Sequence, residues 1–118
     1  MSDGRSDAKD FLPLSDLSFH ALLALGAGAS HGYAIGKDIE RRSGGRLSPA
    51  TGSLYQALRR LHRDGLIGEV SRPRHIAVDD ARRQYFRLTP FGRRVFALEA
   101  RRLDALLSAA RELRLMPA

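Results

Sequence analysis

The chain has 118 residues, of which 20 are basic and 13 acidic, so its net charge is +7, and 43% of its residues are hydrophobic. This length predicts one domain with a small core. Because the sequence has no cysteine, disulfides, thiolate zinc sites and cysteine nucleophiles are excluded. The excess of positive charge favours a polyanionic partner, although a GC-rich genome would also raise the arginine content.

The first twelve residues are polar and lack the apolar core that is typical of a signal peptide. No apolar run approaches the roughly 20 residues needed to span a bilayer. We therefore expect a cytoplasmic protein without a membrane partner, and a flexible N-terminal arm over residues 1–14.

Two helices are predicted in the first third of the chain. The first covers residues 17–27 after a cap at Ser15 or Asp16, and it is apolar on almost every side. Such a helix is expected to be buried in the core and against a second chain. The second helix, over residues 31–42, would be capped by Ser30 and would end at a Ser-Gly-Gly sequence.

A third, amphipathic helix is predicted over residues 48–65, with Ser48 as its cap and Pro49 in the first position. The short glycine-containing connection between the second and third helices indicates a helix-turn-helix. The apolar residues that recur at helical spacing, and that we expect to be buried, are Leu54, Ala57, Leu58, Leu61 and Leu66.

The polar side of the third helix carries hydroxyl groups and arginines, which suits the major groove of double-stranded DNA. A wing, formed by predicted strands over 66–70 and 84–88 around the polar segment 71–83, would reach the DNA backbone or a minor groove. The candidate DNA-binding residues are His31, Ser48, Thr51, Ser53, Tyr55, Gln56, Arg59, Arg60, Arg72 and Arg74.

Alternatives are open for the polar residues of this helix. The Tyr55 hydroxyl would contact DNA, or its ring would pack in the core. Thr51 and Ser53 would donate to phosphate, or only cap the helix. Gln56 would read adenine through two hydrogen bonds, or remain a solvated surface residue.

Among the arginines of the third helix, Arg59 and Arg60 are expected to bind phosphate. Arg63 is expected to contact DNA or to pair with Asp64 or Glu69. For the wing arginines the alternative is a solvated loop without a specific contact.

A last helix, from Thr89-Pro90 to about residue 114, has more apolar surface than a small core can cover. We expect a second copy of the chain to cover it, the alternative being that it folds back on the first helix. The candidate dimer-interface residues are Leu17, Leu98, Leu103, Leu106, Leu107, Ala110 and Leu113.

Three segments together resemble the PadR family of bacterial transcriptional regulators: HGYAIGKDIE (31–40), LSPATGSLYQALRRLHRDGLI (47–67) and YFRLTPFGRRV (85–95). The short C-terminal helix is similar to that of the smaller PadR subgroup. Two features depart from the family pattern: the wing tip is longer than usual, and there is no tryptophan.

The resemblance implies a mainly α fold with a two-stranded β-wing, in which residues 15–90 form a winged helix-turn-helix and residues 91–118 a dimerisation helix. It also implies a homodimer that represses transcription at a palindromic operator, relieved by a small hydrophobic ligand. Phe11, Phe19 and Phe96 are candidates to line the ligand cavity, the alternative being that they are plain core.

No cofactor or metal is expected, since the four histidines have no ligand spacing and no carboxylate cluster. An enzyme is not expected either, because the sequence lacks a phosphate-binding glycine loop and a nucleophile–base arrangement. The competing hypothesis is a winged-helix module that binds an acidic protein partner.

Overall fold

The computed structural model describes residues 7–71 and 84–117. Its α-helices are α1 (Asp16–Ala24), α2 (Gly32–Arg42), α3 (Thr51–Arg63) and α4 (Pro90–Glu112), with short 3₁₀ helices at Ala8–Phe11 and Leu25–Ala27. Its strands are β1 (Ser30–His31), β2 (Ile67–Val70) and β3 (Tyr85–Leu88).

The strands form one antiparallel sheet in the order β1-β3-β2. Strands β2 and β3 pair along their full length, with Ile67 opposite Leu88 and Val70 opposite Tyr85. The mainly helical fold with a β-wing is therefore confirmed. The short strand β1, which pairs Ser30 with Phe86, was not predicted, because two residues are too few to show an alternating pattern.

Two of the predicted helix caps are confirmed. The Ser15 Oγ accepts a hydrogen bond from the Ser18 amide at 3.0 Å at the start of α1. The Thr89 Oγ1 accepts one from the Gly92 amide at 2.9 Å at the start of α4, where proline follows in the first helical position.

Two other predicted caps are wrong. Ser30 belongs to β1, and the cap of α2 is His31, whose Nδ1 accepts from the Ala34 amide at 3.2 Å. Ser48 does not cap α3, since its hydroxyl donates to the Glu40 Oε2 at 3.2 Å. The helix begins at residue 51, after Ala50.

Glycine at position 65 gives α3 its sharp end. Gly65 has a φ of +81°, a left-handed conformation that costs glycine little. Its amide donates to the His62 carbonyl at 3.1 Å, and the Leu66 amide donates to the Leu61 carbonyl at 2.9 Å. This pair of bonds is a Schellman motif, and it turns the chain directly into β2.

The core lies between α1, α2, α3, the sheet and the first half of α4. The buried hydrophobic residues are Ala21, Leu22, Leu25, Ile35, Ile39, Leu54, Ala57, Leu58, Leu61, Leu66, Ile67, Tyr85, Phe86 and Val95. All five residues of the predicted apolar stripe of the third helix are among them, which confirms the orientation of α3.

Part of the expected N-terminal arm lies on the domain. The Phe11 ring meets the Phe91 ring edge-on, with 5.7 Å between their centroids. The Leu14 amide donates to the Glu99 Oε2 at 2.8 Å. Residues 7–14 are therefore packed against α4, because their apolar side chains cover its surface; the rest of the arm, residues 1–6, lies outside the described residues.

Within the two described ranges, no helix has the length and apolar character that crossing a membrane requires.

Replacing Gly92 with alanine should destabilise the fold. A Cβ there would collide with the Leu66 carbonyl and lie 3.1 Å from the Leu88 Cδ1. The Leu66 carbonyl cannot retreat freely, because it accepts from the Thr89 amide at 3.1 Å. We expect Gly92→Ala to lower the free energy of unfolding by about 1–3 kcal/mol in urea denaturation.

The matched control is Gly52→Ala, since a Cβ at Gly52 meets no atom within 4 Å. An alanine in this helix should leave stability unchanged or raise it by up to about 1 kcal/mol. Equal effects of the two substitutions would contradict the close packing of Gly92.

Candidate nucleic-acid interface

The burial of one side of α3 turns its opposite side to solvent. Successive residues rotate by about 100° around a helix, so Gln56, Arg59 and Arg63 lie opposite Leu54 and Leu58. All three polar residues are exposed, whereas Leu54 and Leu58 are 4% and 0% exposed. The helix therefore presents one amide and two guanidinium groups on a single face.

The beginning of α3 offers free backbone donors. Its cap residue is Ala50, and no side chain of the described residues accepts from the first turn. Thr51 and Ser53 are exposed beside these amides. A helix N-terminus with free N–H groups and hydroxyls attracts an anionic oxygen. The capping role considered for Thr51 and Ser53 is not what the structure shows.

Tyr55 packs in the core, as one of its two alternatives predicted, and the contact of its hydroxyl with DNA stays a prediction. Its ring is half-buried and packs against the core, and its hydroxyl lies where a Cβ on Gly32 would be. The same side chain borders a cleft of about 280 Å³ between α2 and the start of α3, together with Lys37 and Thr51. The ring thus packs α3 against α2, and the cleft beside it opens to solvent near the exposed face of α3.

His31 has a structural role at the junction of the sheet and α2. Besides capping α2, its ring meets the Tyr85 ring edge-on at 5.2 Å and lies parallel to the Tyr33 ring at 6.5 Å. These contacts place His31 at the helix start, as expected.

The three arginines of α3 have different surroundings. Arg59 and Arg60 form no ion pair with the residues described. Arg63 pairs with Asp64, with 3.2 Å between Nε and Oδ1. Of the two acids predicted as its partner, Asp64 and Glu69, the structure therefore shows Asp64. Arg60 lies about 100° around the helix from Arg59, on the flank next to Leu14 and the N-terminal segment.

The wing contributes one exposed cation within the described residues that was not among the candidates. Arg87 on β3 is exposed, and its Nη1 donates to the Leu88 carbonyl at 3.3 Å. The signal for it was the alternation of the strand, which puts Arg87 on the side away from Phe86. Arg72 and Arg74 lie outside the described residues.

Several of the candidate interface leucines on α4 are exposed in a single chain. Leu106, Leu107 and Leu113 are 57%, 45% and 70% exposed. Leu106 and Leu113 lie on the side of α4 that carries the buried Val95 nearer the start of the helix, so this apolar stripe is covered in the first half and open in the second. Leu107 lies about 100° around the helix from Leu106. The remaining candidates, which are half-buried, are Leu17, Leu98, Leu103 and Ala110.

The alternative to a dimer was that the last helix folds back on the first helix. In the structure, the N-terminal half of α4 packs on α1 in this way. There, the Phe19 and Phe96 rings stack with 4.6 Å between their centroids. The stacked rings fill the space between α1 and α4, and Phe11 packs on Phe91 instead. Their role in ligand binding stays a prediction.

A buried carboxylate on α4 was not expected from the sequence. Glu99 is 2% exposed and accepts from the Arg102 Nε at 2.6 Å, from the Arg102 Nη2 at 3.1 Å and from the Leu14 amide. The burial of Glu99 could have been noticed from the sequence only because this acid lies four residues after Val95, on the apolar side of the helix. Glu99 ties the N-terminal segment to α4.

The hydrogen bonds from Arg102 lower the pKa of Glu99, against the opposing effect of burial, and the bond from the Leu14 amide lowers this pKa further. The carboxylate therefore stays charged in the folded protein at neutral pH. Among the described residues, no cluster of three or more histidines and acids is arranged to hold a metal ion.

The family model described as the transcriptional regulator PadR-like family matches residues 21–98. An uncharacterized 37.1 kDa protein in transposon TN4556 of Streptomyces fradiae is 41% identical over 92 residues. That match covers 78% of this chain and 24% of the relative, so the chain spans about a quarter of the relative's length.

Two solved structures share the fold. A PadR family transcription regulator from Clostridium difficile R20291 is 19% identical, with a TM-score of 0.69 over 84% of this chain and 98% of that one. PadR of Bacillus subtilis in complex with operator DNA is 21% identical, with a TM-score of 0.56 over 69% of this chain and 44% of that one.

Glu99→Gln should make the protein less stable at neutral pH and change its dependence on pH. Because the pKa of Glu99 is lowered on folding, its contribution is present above the unfolded pKa and is lost as pH falls through the folded pKa. The variant should therefore have a lower urea midpoint than the wild type at neutral pH, with the difference shrinking in acid.

Asp104→Asn is the control, since Asp104 is an exposed acid on the same helix. It should follow the wild type at each pH when all proteins are compared at one concentration. A Glu99→Gln difference that stays constant from neutral to acid pH would contradict the role given to the carboxylate.

Proposed function

The chain belongs to the PadR-like family of transcriptional regulators, and on this premise we propose that it is a homodimeric repressor of a palindromic DNA operator, acting in the cytoplasm. Residues 15–90 would bind DNA, and residues 91–118 would hold the dimer together. The observation that carries the proposal is the exposed face of α3, where Gln56 and Arg59 lie beside a helix start without a side-chain cap.

In the dimer, the exposed faces of the two α3 helices, one from each protomer, would enter successive major grooves about one helical turn apart. Gln56, Thr51 and Ser53 would supply base discrimination, and the arginines would neutralise phosphates. The net charge of +7 supports strong attraction to a polyanion. The proposed DNA-binding residues are His31, Ser48, Thr51, Ser53, Tyr55, Gln56, Arg59 and Arg60, with Arg72 and Arg74 of the wing.

A partner chain would bury the open leucine stripe of α4. A fully buried leucine contributes about 1.5–3 kcal/mol, and in a symmetric dimer each such residue counts twice. Three leucines that are 45–70% exposed on one helix therefore favour association. Relief by a small hydrophobic ligand would require the ligand to bind two dimer arrangements with different affinity.

We expect Arg59→Ala and Arg60→Ala each to weaken binding to every DNA sequence and to lower the salt slope by about 1, because each removes one phosphate contact. Gln56→Ala should reduce the difference between operator and random DNA, since it removes a base contact. Fluorescence anisotropy with an operator selected from genomic DNA measures both effects.

Arg101→Ala, which removes an exposed arginine of α4, is the control for charge and should change affinity little. Failure of the wild type to bind any genomic fragment at low salt would overturn the proposal. It would favour the alternative in which the basic face binds an acidic protein.

The double variant Leu106→Glu/Leu107→Glu should dissociate the dimer, since the charges would face the partner chain in place of leucine. Sedimentation equilibrium should show at least about a hundredfold weaker association, and binding to a full operator should fall toward that of a half-site. Ser108→Glu, on the opposite side of the same helix, is the matched control and should remain dimeric. A wild type that is monomeric at the same concentration would contradict the proposed assembly.

A further inference from the structure

An acid lies on the proposed DNA-binding surface, in the cleft of about 280 Å³ between α2 and the start of α3. Glu40 of α2 lines this α2–α3 cleft together with Lys37, Ser48 and Thr51. Ser48 and Thr51 are proposed to contact DNA, whereas a carboxylate at the same place repels a phosphate. The position of Glu40 therefore opposes the surface around it.

The Glu40 carboxylate holds two of the donors of the cleft. Its Oε2 accepts a hydrogen bond from the Ser48 hydroxyl at 3.2 Å, and its Oε1 lies 3.8 Å from the Lys37 Nζ. A hydroxyl has one hydrogen to donate, so Ser48 cannot donate to a phosphate while it donates to Glu40. The side chains of Lys37 and Glu40 are 61% and 44% exposed, so an anion from outside the chain can reach the same donors.

The donors of the cleft suit an oxyanion. They are an ammonium group, a hydroxyl group and the backbone amides at the start of α3, where no side chain of the described residues forms a cap. The Lys37 Nζ also lies 5.6 Å from the centroid of the Tyr33 ring, which keeps the cation beside the cleft. The Glu40 carboxylate is thus an internal anion that occupies the donors a phosphate would use.

We propose that Glu40 competes with a DNA phosphate for the α2–α3 cleft, and that Lys37 is the cation for which the two anions compete. This inference rests on the proposed function, in which Ser48 and Thr51 contact DNA. A phosphate that enters the cleft displaces the carboxylate from Ser48 and Lys37. The cost is the same for every DNA sequence, because a phosphate carries no base information. Glu40 therefore limits the affinity for all DNA and leaves discrimination to the base contacts.

Glu40→Gln keeps the size of the side chain and removes its charge. We expect about tenfold tighter binding to both operator and random duplexes at low salt, with an unchanged ratio between them, and a salt slope steeper by about 1. Asp104→Asn, which removes an exposed acid of α4, is the control and should change affinity less than about twofold. Fluorescence anisotropy over a series of salt concentrations measures these effects.

A double-mutant cycle separates competition for Lys37 from simple repulsion of DNA by an acid. Lys37→Gln alone should weaken binding at most about threefold, since its charge is already paired with Glu40. In the Lys37→Gln background, Glu40→Gln should tighten binding at most about threefold instead of tenfold, because the cation that it releases is missing. An equal gain in both backgrounds overturns the competition. Weaker DNA binding by Glu40→Gln overturns it as well, since the carboxylate would then orient Ser48 for DNA.

A measurement without DNA distinguishes this proposal from the proposed function. On immobilised heparin, a sulfated polyanion, Glu40→Gln should elute at higher salt than Asp104→Asn, and the double variant Lys37→Gln/Glu40→Gln should lose most of this shift. Equal elution of Glu40→Gln and Asp104→Asn overturns the role given to Glu40. If the wild type binds heparin but no DNA, the proposed function fails, and the elution order still decides whether Glu40 competes with an outside anion.

Discussion

The burial of the leucine stripe on α3 is the constraint on which the rest of the molecule depends. Leu54, Leu58 and Leu61 pack against α1 and α2 and are at most 5% exposed, so the orientation of α3 about its own axis is fixed. In this orientation Gln56 and Arg59 point to solvent. The Schellman turn at Gly65 then directs the chain into β2, so the same packing also sets where the wing begins. The proposed reading surface is thus a consequence of core packing rather than an independent feature.

The last helix, α4, carries one apolar stripe that is buried in its first half and exposed to solvent in its second half. In its first half, Val95 is fully buried and Phe96 stacks on Phe19 of α1. In its second half, Leu106 and Leu113 face solvent in a single chain. Between the halves, Glu99 binds Arg102 and the Leu14 amide, which marks the point where the intrachain core ends. The first half of α4 is thus packed against its own chain, and the exposed leucines of the second half are available for the proposed dimer contact.

The N-terminal segment links these two parts. Residue 14 is tied to α4 through Glu99, and residues 11–14 also face Arg60 across a cleft at the end of α3.

The helix-turn-helix, the wing and the long last helix could be predicted from the sequence, because periodic leucines, a glycine stop and a Thr-Pro start report local preferences that tertiary contacts reinforced. The starts of α2 and α3 could not be predicted. Ser30 pairs with Phe86 in the sheet, so the next residue, His31, caps α2. The Ser48 hydroxyl donates to Glu40, and α3 begins later without a side-chain cap. The strand β1, the packing of residues 7–14 and the burial of Glu99 were likewise decided only by tertiary structure. A two-residue strand and a lone acid have no periodic signature, and their partners lie up to 85 residues away along the chain.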